Sequence, residues 1–136
     1  MRCLFDASAI FEAIKQNKAD ILIGHQTIEL ARYELGNILW KNSALQAKIP
    51  DEETKTFAKI TKQALSLMEI APISCSEEEI LETAKQLKIT FYDASYVHTA
   101  KAEALTLITQ DKHLKTKAQN HINVQTLARS SSTGSS

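Results

Sequence analysis

Four acidic residues stand where an acid is either a helix cap or a ligand: Asp6 after "RCLF", Glu34 in "ELARYELGNILWK", Asp93 in "KITFYDASYVHTA" and Asp111 in "ITQDKHLKT". Asp6, Asp93 and Asp111 each lie at or near the start of a helical pattern. There a carboxylate accepts backbone N–H bonds and meets the positive end of the helix dipole. Taken singly, capping accounts for each of these three. It does not account for Glu34, which follows Ala31 by three residues and precedes Ile38 by four. That places it beside the apolar stripe of a helix, where an unpaired glutamate is disfavoured. Asp93 is flanked by apolar and small residues, and an enclosed carboxylate takes up a proton, a partner or a metal. Four acids converging at one place repel one another unless a divalent cation lies among them. Carboxylate oxygens are hard ligands suited to Mg²⁺ or Mn²⁺, and the lack of a Cys/His cluster argues against structural zinc. Asn37, one turn beyond Glu34 on the same face, either holds the carboxylate or a ligand or simply faces water.

These residues need elements to position them. "RCLF" is a short apolar run expected to be a buried strand, and Asp6 ends it before a helix over 7–15. "ILI" at 21–23 predicts a second strand, with Thr27 as cap of a long helix to about Leu45 carrying Ile28, Ala31, Leu35 and Ile38. Helical spacing of Phe57, Ile60, Ala64 and Leu67 predicts a helix over 51–68, and "EIAPI" beyond it an edge strand, since Pro72 cannot donate to a ladder. Ser76 and Glu79 have the spacing of a capping box for a helix carrying Ile80, Ala84 and Leu87. A further helix runs from about Asp93 to Ala102, followed by the strand "TLIT", a helix over 111–119 and the strand "INVQ". Short apolar strands alternating with helices predict an α/β fold, a three-layer α/β/α sandwich around a central, mostly parallel sheet of about five strands. Ligands of such sheets bind at the carboxyl ends of the strands, and Asp6 and Asp111 both follow a strand.

Composition narrows the classes. The 136 residues are 43% hydrophobic, enough for one self-sufficient core, and 16 basic residues balance 16 acidic ones. No overall basic field exists of the kind that marks a general nucleic-acid binder, so nucleic acid would be held by a local patch or through metal ions. Cys3 and Cys75 lie far apart and predict buried, reduced thiols. No apolar run approaches a membrane span, which predicts a cytoplasmic protein without a membrane partner. The terminal "RSSSTGSS" offers nothing to bury and is excluded from the fold.

The order and spacing of "LFDASAI", "ELARYELGNIL", "TFYDASYVHTAKA" and "TLITQDKHL" closely resemble the PIN-domain family, particularly the small VapC-type toxins of toxin–antitoxin pairs. The likeness spans essentially positions 2–127. It implies a PIN-like nuclease domain over 1–127 with a Ser/Thr/Gly tail at 128–136, and an Mg²⁺- or Mn²⁺-dependent endoribonuclease with one or two ions. The family's acids map to Asp6, Glu34, Asp93 and Asp111 as catalytic and metal-binding residues, with Ser8, Asn37 and Thr109 supporting them. The expected chemistry is in-line hydrolysis of a phosphodiester, with metal-activated water as the nucleophile. The chain departs from the pattern at His113, where some relatives carry a further acid.

Lys41, Lys112, His113, Lys115 and Lys117 are candidate phosphate contacts near the mouth, though a solvated helix face accounts better for any one of them taken singly. Unpaired RNA is the expected substrate. The resemblance further implies a small antitoxin covering the acids and a homodimer; Arg32, Tyr33 and Trp40 on the long helix are interface candidates, though a core place accounts for Trp40 equally well. A different class remains open: a PIN-like fold acting in RNA processing or as a non-catalytic RNA-binding or scaffolding module. The presence of all four acids weighs against it. A receiver-type phosphoacceptor would need paired acids after the first strand, where Asp6 is followed by Ala7, Ser8 and Ala9.

Overall fold

A computed structural model describes residues 2–128. All but the first residue of the expected tail lies outside them. In chain order the elements are β1 (Cys3–Phe5), α1 (Ala7–Lys15), a 3₁₀ turn (Ala19–Leu22), β2 (Gln26–Ile28), α2 (Leu30–Trp40), a π-helical turn (Lys41–Leu45) and α3 (Asp51–Ser66). They continue with β3 (Glu69–Ala71), α4 (Glu77–Leu87), α5 (Phe91–Ala102), β4 (Thr106–Ile108), α6 (Lys112–Ala118) and β5 (Val124–Gln125). The five strands form one parallel sheet in the order β3-β2-β1-β4-β5. β1 lies at its centre, with Leu4 opposite both Gln26 and Leu107.

The chain moves outward from β1 to β3, then returns past β1 to β4. With right-handed crossovers, this reversal puts α1, α2 and α3 on one face of the sheet and α4, α5 and α6 on the other. The expected three-layer α/β/α sandwich is therefore the observed fold. Its core runs through the sheet: Leu4, Ile10, Leu22, Ile28, Leu35, Tyr96, Leu107 and Leu114 are among its fully buried side chains. A smaller cluster of Ile80, Ala84 and Ala94 joins α4 to α5. The reversal also creates a switch point between β1 and β4, the position at which open α/β sheets bind ligands.

Several local expectations are corrected. The run "ILI" at 21–23 is not a strand. It forms the 3₁₀ turn, which drives Leu22 into the core and leaves Ile23 exposed. Gly24, at φ 81°, then turns the chain into β2, whose residues Gln26, Thr27 and Ile28 are all buried. Thr27 is thus a strand residue rather than a helix cap, and its hydroxyl donates to the Phe5 carbonyl at 2.7 Å. α2 starts at Leu30 without a side-chain cap and ends in the π turn, where the side chains of Asn42 and Ser43 donate to the carbonyls of Ile38 and Leu39. Ser76 heads α4, but its side chain makes no capping bond, so the capping box is not formed. Cys3 is buried as expected, whereas Cys75 is exposed. β3 is an edge strand, as Pro72 implied.

Candidate active site

The four acids come from four segments: Asp6 directly after β1, Glu34 on α2, Asp93 in the first turn of α5 and Asp111 before α6. Asp6 is the buried one, 5% exposed at the end of the central strand. Its Oδ1 accepts the Ala9 amide at 2.9 Å and the Ser8 hydroxyl at 2.7 Å, and its Oδ2 accepts the Thr109 hydroxyl. Asp6 is therefore a helix cap, and it is also more than one.

Thr109 ties the second central strand into this knot. Fully buried just after β4, it receives the Asp111 amide on Oγ1 at 3.0 Å and lies 3.3 Å from Ser8 Oγ. Ser8 in turn accepts the Gln110 amide at 2.9 Å. Ser8 and Thr109 thus fasten the loops after β1 and β4 to each other and to Asp6, across the switch point. Asp111 caps α6, accepting the Leu114 amide at 3.1 Å, with its side chain at the surface.

Asp93 is half-buried and does not cap its helix. Thr90 does, accepting the Asp93 amide at 3.0 Å. The Asp93 carboxylate is left for other contacts. Glu34, also half-buried, accepts a 2.7 Å bond from the hydroxyl of Tyr96, one turn beyond Asp93 on α5. This bond joins the two helical layers at the carboxyl end of the sheet. Tyr96 is 1% exposed, and the Ala7 amide at the head of α1 also bonds its oxygen. It escaped the sequence reading, and the signal for it was its place one turn after Asp93 in "DASY".

The electrostatics show that the acids share one field. Burial is the main reason that the Asp6 carboxyl is pushed from 3.8 to about 6; the bonds from Thr109, Ser8 and Ala9 oppose the shift, and the charge of Asp93 adds to it. Burial likewise raises Glu34, with Tyr96 opposing and the charges of Asp93 and Asp6 adding. Asp93 is raised by burial and then by Asp111, while His113 pulls it down. Burial and the charge of Glu34 push the Tyr96 hydroxyl far above its usual range, so it remains a donor at any working pH. Asp93 is the hub of this field, felt by Asp6 and Glu34 and itself feeling Asp111 and His113.

Of the remaining predicted residues, Asn37 and Lys41 are exposed on α2 and its π turn and form no hydrogen bond to these acids. Lys112 and His113 are exposed on the first turn of α6, and Lys115 and Lys117 are half-buried one turn on. His113 is brought electrostatically to Asp93.

Among the described residues, no three Asp, Glu, His or Cys side chains are gathered into a ligating cluster. The fit to a metal ion is one of donor chemistry and charge. An all-oxygen, mutually repelling set of carboxylates, one held in the interior at the cost of a raised pKa, suits a hard divalent cation without a preformed cage.

A family profile described as PIN domain matches residues 3–120. Exonuclease VapC9 of Pyrobaculum aerophilum is 32% identical over 130 residues, covering 91% of each chain. The crystal structure of PAE2754, also from Pyrobaculum aerophilum, superposes with a TM-score of 0.70 at 28% identity over 90% of each chain.

Proposed function

The chain belongs to the PIN-domain family, and from that premise we propose that it is an Mg²⁺- or Mn²⁺-dependent endoribonuclease acting as the toxin of a toxin–antitoxin pair. The observation that carries the reading is the shared field of Asp6, Glu34, Asp93 and Asp111 at the switch point between β1 and β4. Such a group of anions is costly unless a cation offsets it.

Asp6, Glu34 and Asp93 would hold one or two ions, with Asp111 joining directly or through water. A bound ion supplies a water of lowered pKa and offsets charge on the leaving oxygen. The chain's own part is positioning. Ser8, Thr109 and the Ala9 amide fix both oxygens of Asp6, and Tyr96 fixes one oxygen of Glu34. In the metal-free chain, with its carboxyl at about 6, Asp6 is mostly ionised at neutral pH and loses that charge in mild acid. His113, beside Asp93, and Lys112, Lys115 and Lys41 would meet the phosphates that flank the cut, while Asn37 would reach the substrate from α2. Unpaired RNA is the substrate that such an edge can reach.

Among the described residues no helix is long and apolar enough to cross a membrane, and the proposed site of action is the cytoplasm. The proposed partners are an antitoxin covering the acids and a second copy of the chain. Tyr33 and Trp40, exposed at 72% and 53% on α2, are the interface candidates.

The test is cleavage of linear and circular single-stranded RNA by the antitoxin-free protein with Mn²⁺, Mg²⁺ or EDTA. The proposal expects metal-dependent cutting of both forms. Cutting of the linear form alone would replace it with an exonuclease, the activity named for the Pyrobaculum relative. Calorimetry that finds no Mn²⁺ binding, together with intact RNA, would leave the RNA-binding or scaffolding module.

A further inference from the structure

Along the same carboxyl edge, beyond the acids, the ends of β2 and β3 open into a cavity of about 220 Å³. Ile28, Leu30, Ala71 and Pro72 line it together with Phe91 and Tyr92 at the head of α5. Ligand pockets for drug-sized molecules start at roughly 300 Å³, so this one suits a single flat ring system. Two of its polar side chains are already engaged. The Ser95 hydroxyl donates to the Phe91 carbonyl at 2.9 Å, and Glu29 at the rim holds Arg32 Nε at 3.0 Å. An apolar lining with two aromatic residues remains, Tyr92 60% and Phe91 36% exposed.

The cavity and the acid site are built on the same two helices. On α2, Leu30 lines the cavity and Glu34 lies one turn further on the same face. On α5, Phe91 and Tyr92 line the cavity, and Asp93, the hub of the acids, is the next residue. Strands in a sheet lie about 4.8 Å apart, so the cavity is offset from β1 by one to two spacings, the reach of a neighbouring nucleotide.

Resting on the ribonuclease reading, the geometry points to a nucleobase subsite: the cavity takes one unpaired base adjacent to the cleaved phosphate, stacked on Phe91 and Tyr92. Its lining is mostly apolar and aromatic, so the subsite holds bases chiefly by their faces. It positions RNA with little sequence preference of its own. Duplexed bases cannot enter, which makes the enzyme selective for unpaired RNA.

Binding can be measured apart from cleavage by using a short single-stranded RNA with Ca²⁺ in place of Mg²⁺ or Mn²⁺. Tyr92→Leu and Phe91→Leu, apolar but without a ring, are expected to weaken binding roughly tenfold each, the scale of a lost base–aromatic stack. Tyr92→Phe, which keeps the ring, stays near wild-type affinity. The same RNA carrying 5-iodouridine should photocross-link to the 91–92 segment, and a duplex of identical sequence should not. If both leucine variants bind as wild type, or the cross-link falls elsewhere, the subsite is refuted. Failure of wild type to bind single-stranded RNA refutes it as well. Ring-dependent binding without any metal-dependent cleavage would instead uphold the subsite and overturn the nuclease reading. If cleavage persists, the leucine variants should raise KM far more than they lower kcat.

Discussion

Asp6 and Asp111 follow the two central strands, and each caps the helix that comes next. Their surroundings are nevertheless opposite. Asp6 comes directly after the last residue of β1 and is buried, whereas Thr109 and Gln110 intervene between β4 and Asp111, which reaches the surface. The buried place beside β4 that matches Asp6 is taken by Thr109, whose hydroxyl bonds Asp6. One strand end thus supplies the charge and its neighbour the donor that stabilises it. Capping does not exhaust either acid, because the helix amide takes one carboxylate oxygen only; at Asp6 the Thr109 hydroxyl holds the other. What separates the two acids is the distance from the strand end, which sets burial, and burial is the main cause of the Asp6 shift.

The sharpest way to break this comparison is to neutralise each acid in turn. Asp6→Asn is expected to lower Mn²⁺-dependent RNA cleavage by at least about 10³-fold, about 4 kcal/mol of barrier. Asp111→Asn, exposed and at the rim, is expected to lose about 10- to 100-fold, the scale of an outer-shell group. Equal losses in single-turnover assays would erase the distinction drawn from burial.

Stability should move the other way. In EDTA at pH 7.5 the ionised Asp6 is a burden on the fold, and Asp6→Asn is expected to stabilise the protein by up to about 3 kcal/mol in urea unfolding. Thr109 can turn its hydroxyl to accept from the new amide. Asp111→Ala removes only a cap and should cost about 1 kcal/mol. A destabilised Asp6→Asn would mean that the hydrogen bonds to Asp6 outweigh its desolvation.

The pH dependence carries the same contrast. The Asp6 carboxyl titrates at about 6 in the folded chain against 3.8 for a free group, so between those values the folded state binds more protons than the unfolded state. Stability of the metal-free protein therefore falls as pH rises through that window and levels off above it. Glu34 and Asp93, both raised, add in the same direction. Asp6→Asn should flatten much of this slope, as measured by urea midpoints at successive pH values.

The parts of this edge differ in how far the amino-acid sequence announces them. β1, β4 and α1 are legible because β1 is apolar throughout, Leu107 and Ile108 make β4 mostly so, and α1 starts at a cap. β2 is not, because its buried residues include Gln26 and Thr27, made tolerable by partners such as the Phe5 carbonyl that lie far away in sequence. The apolar run just before it spends its hydrophobicity on a 3₁₀ turn instead. Glu34 is legible as a misplaced charge, but Tyr96 is not, since an aromatic residue within a helix is ordinarily core. Only the fold brings its hydroxyl to Glu34, 62 residues away in the chain. For the same reason the link between Thr109 and Asp6 can be expected from resemblance but not from spacing.

The smallest effect tests whether that unannounced tyrosine belongs to the buried or the rim part of the site. Tyr96→Phe keeps the packed ring and removes one oxygen, so stability should fall by about 1 kcal/mol. Glu34 then loses the donor that favours its ionised form, while burial and its charged neighbours still push its carboxyl up. Cleavage at neutral pH is expected to drop about tenfold, the lower end of the cost of removing a group that orients a ligand. The acidic limb of the pH–rate profile should move to higher pH, because Glu34 now needs a higher pH to ionise. A purely structural tyrosine would lower the rate without moving that limb. The position of the limb in Tyr96→Phe relative to wild type therefore decides whether Tyr96 positions Glu34 or merely fills the core.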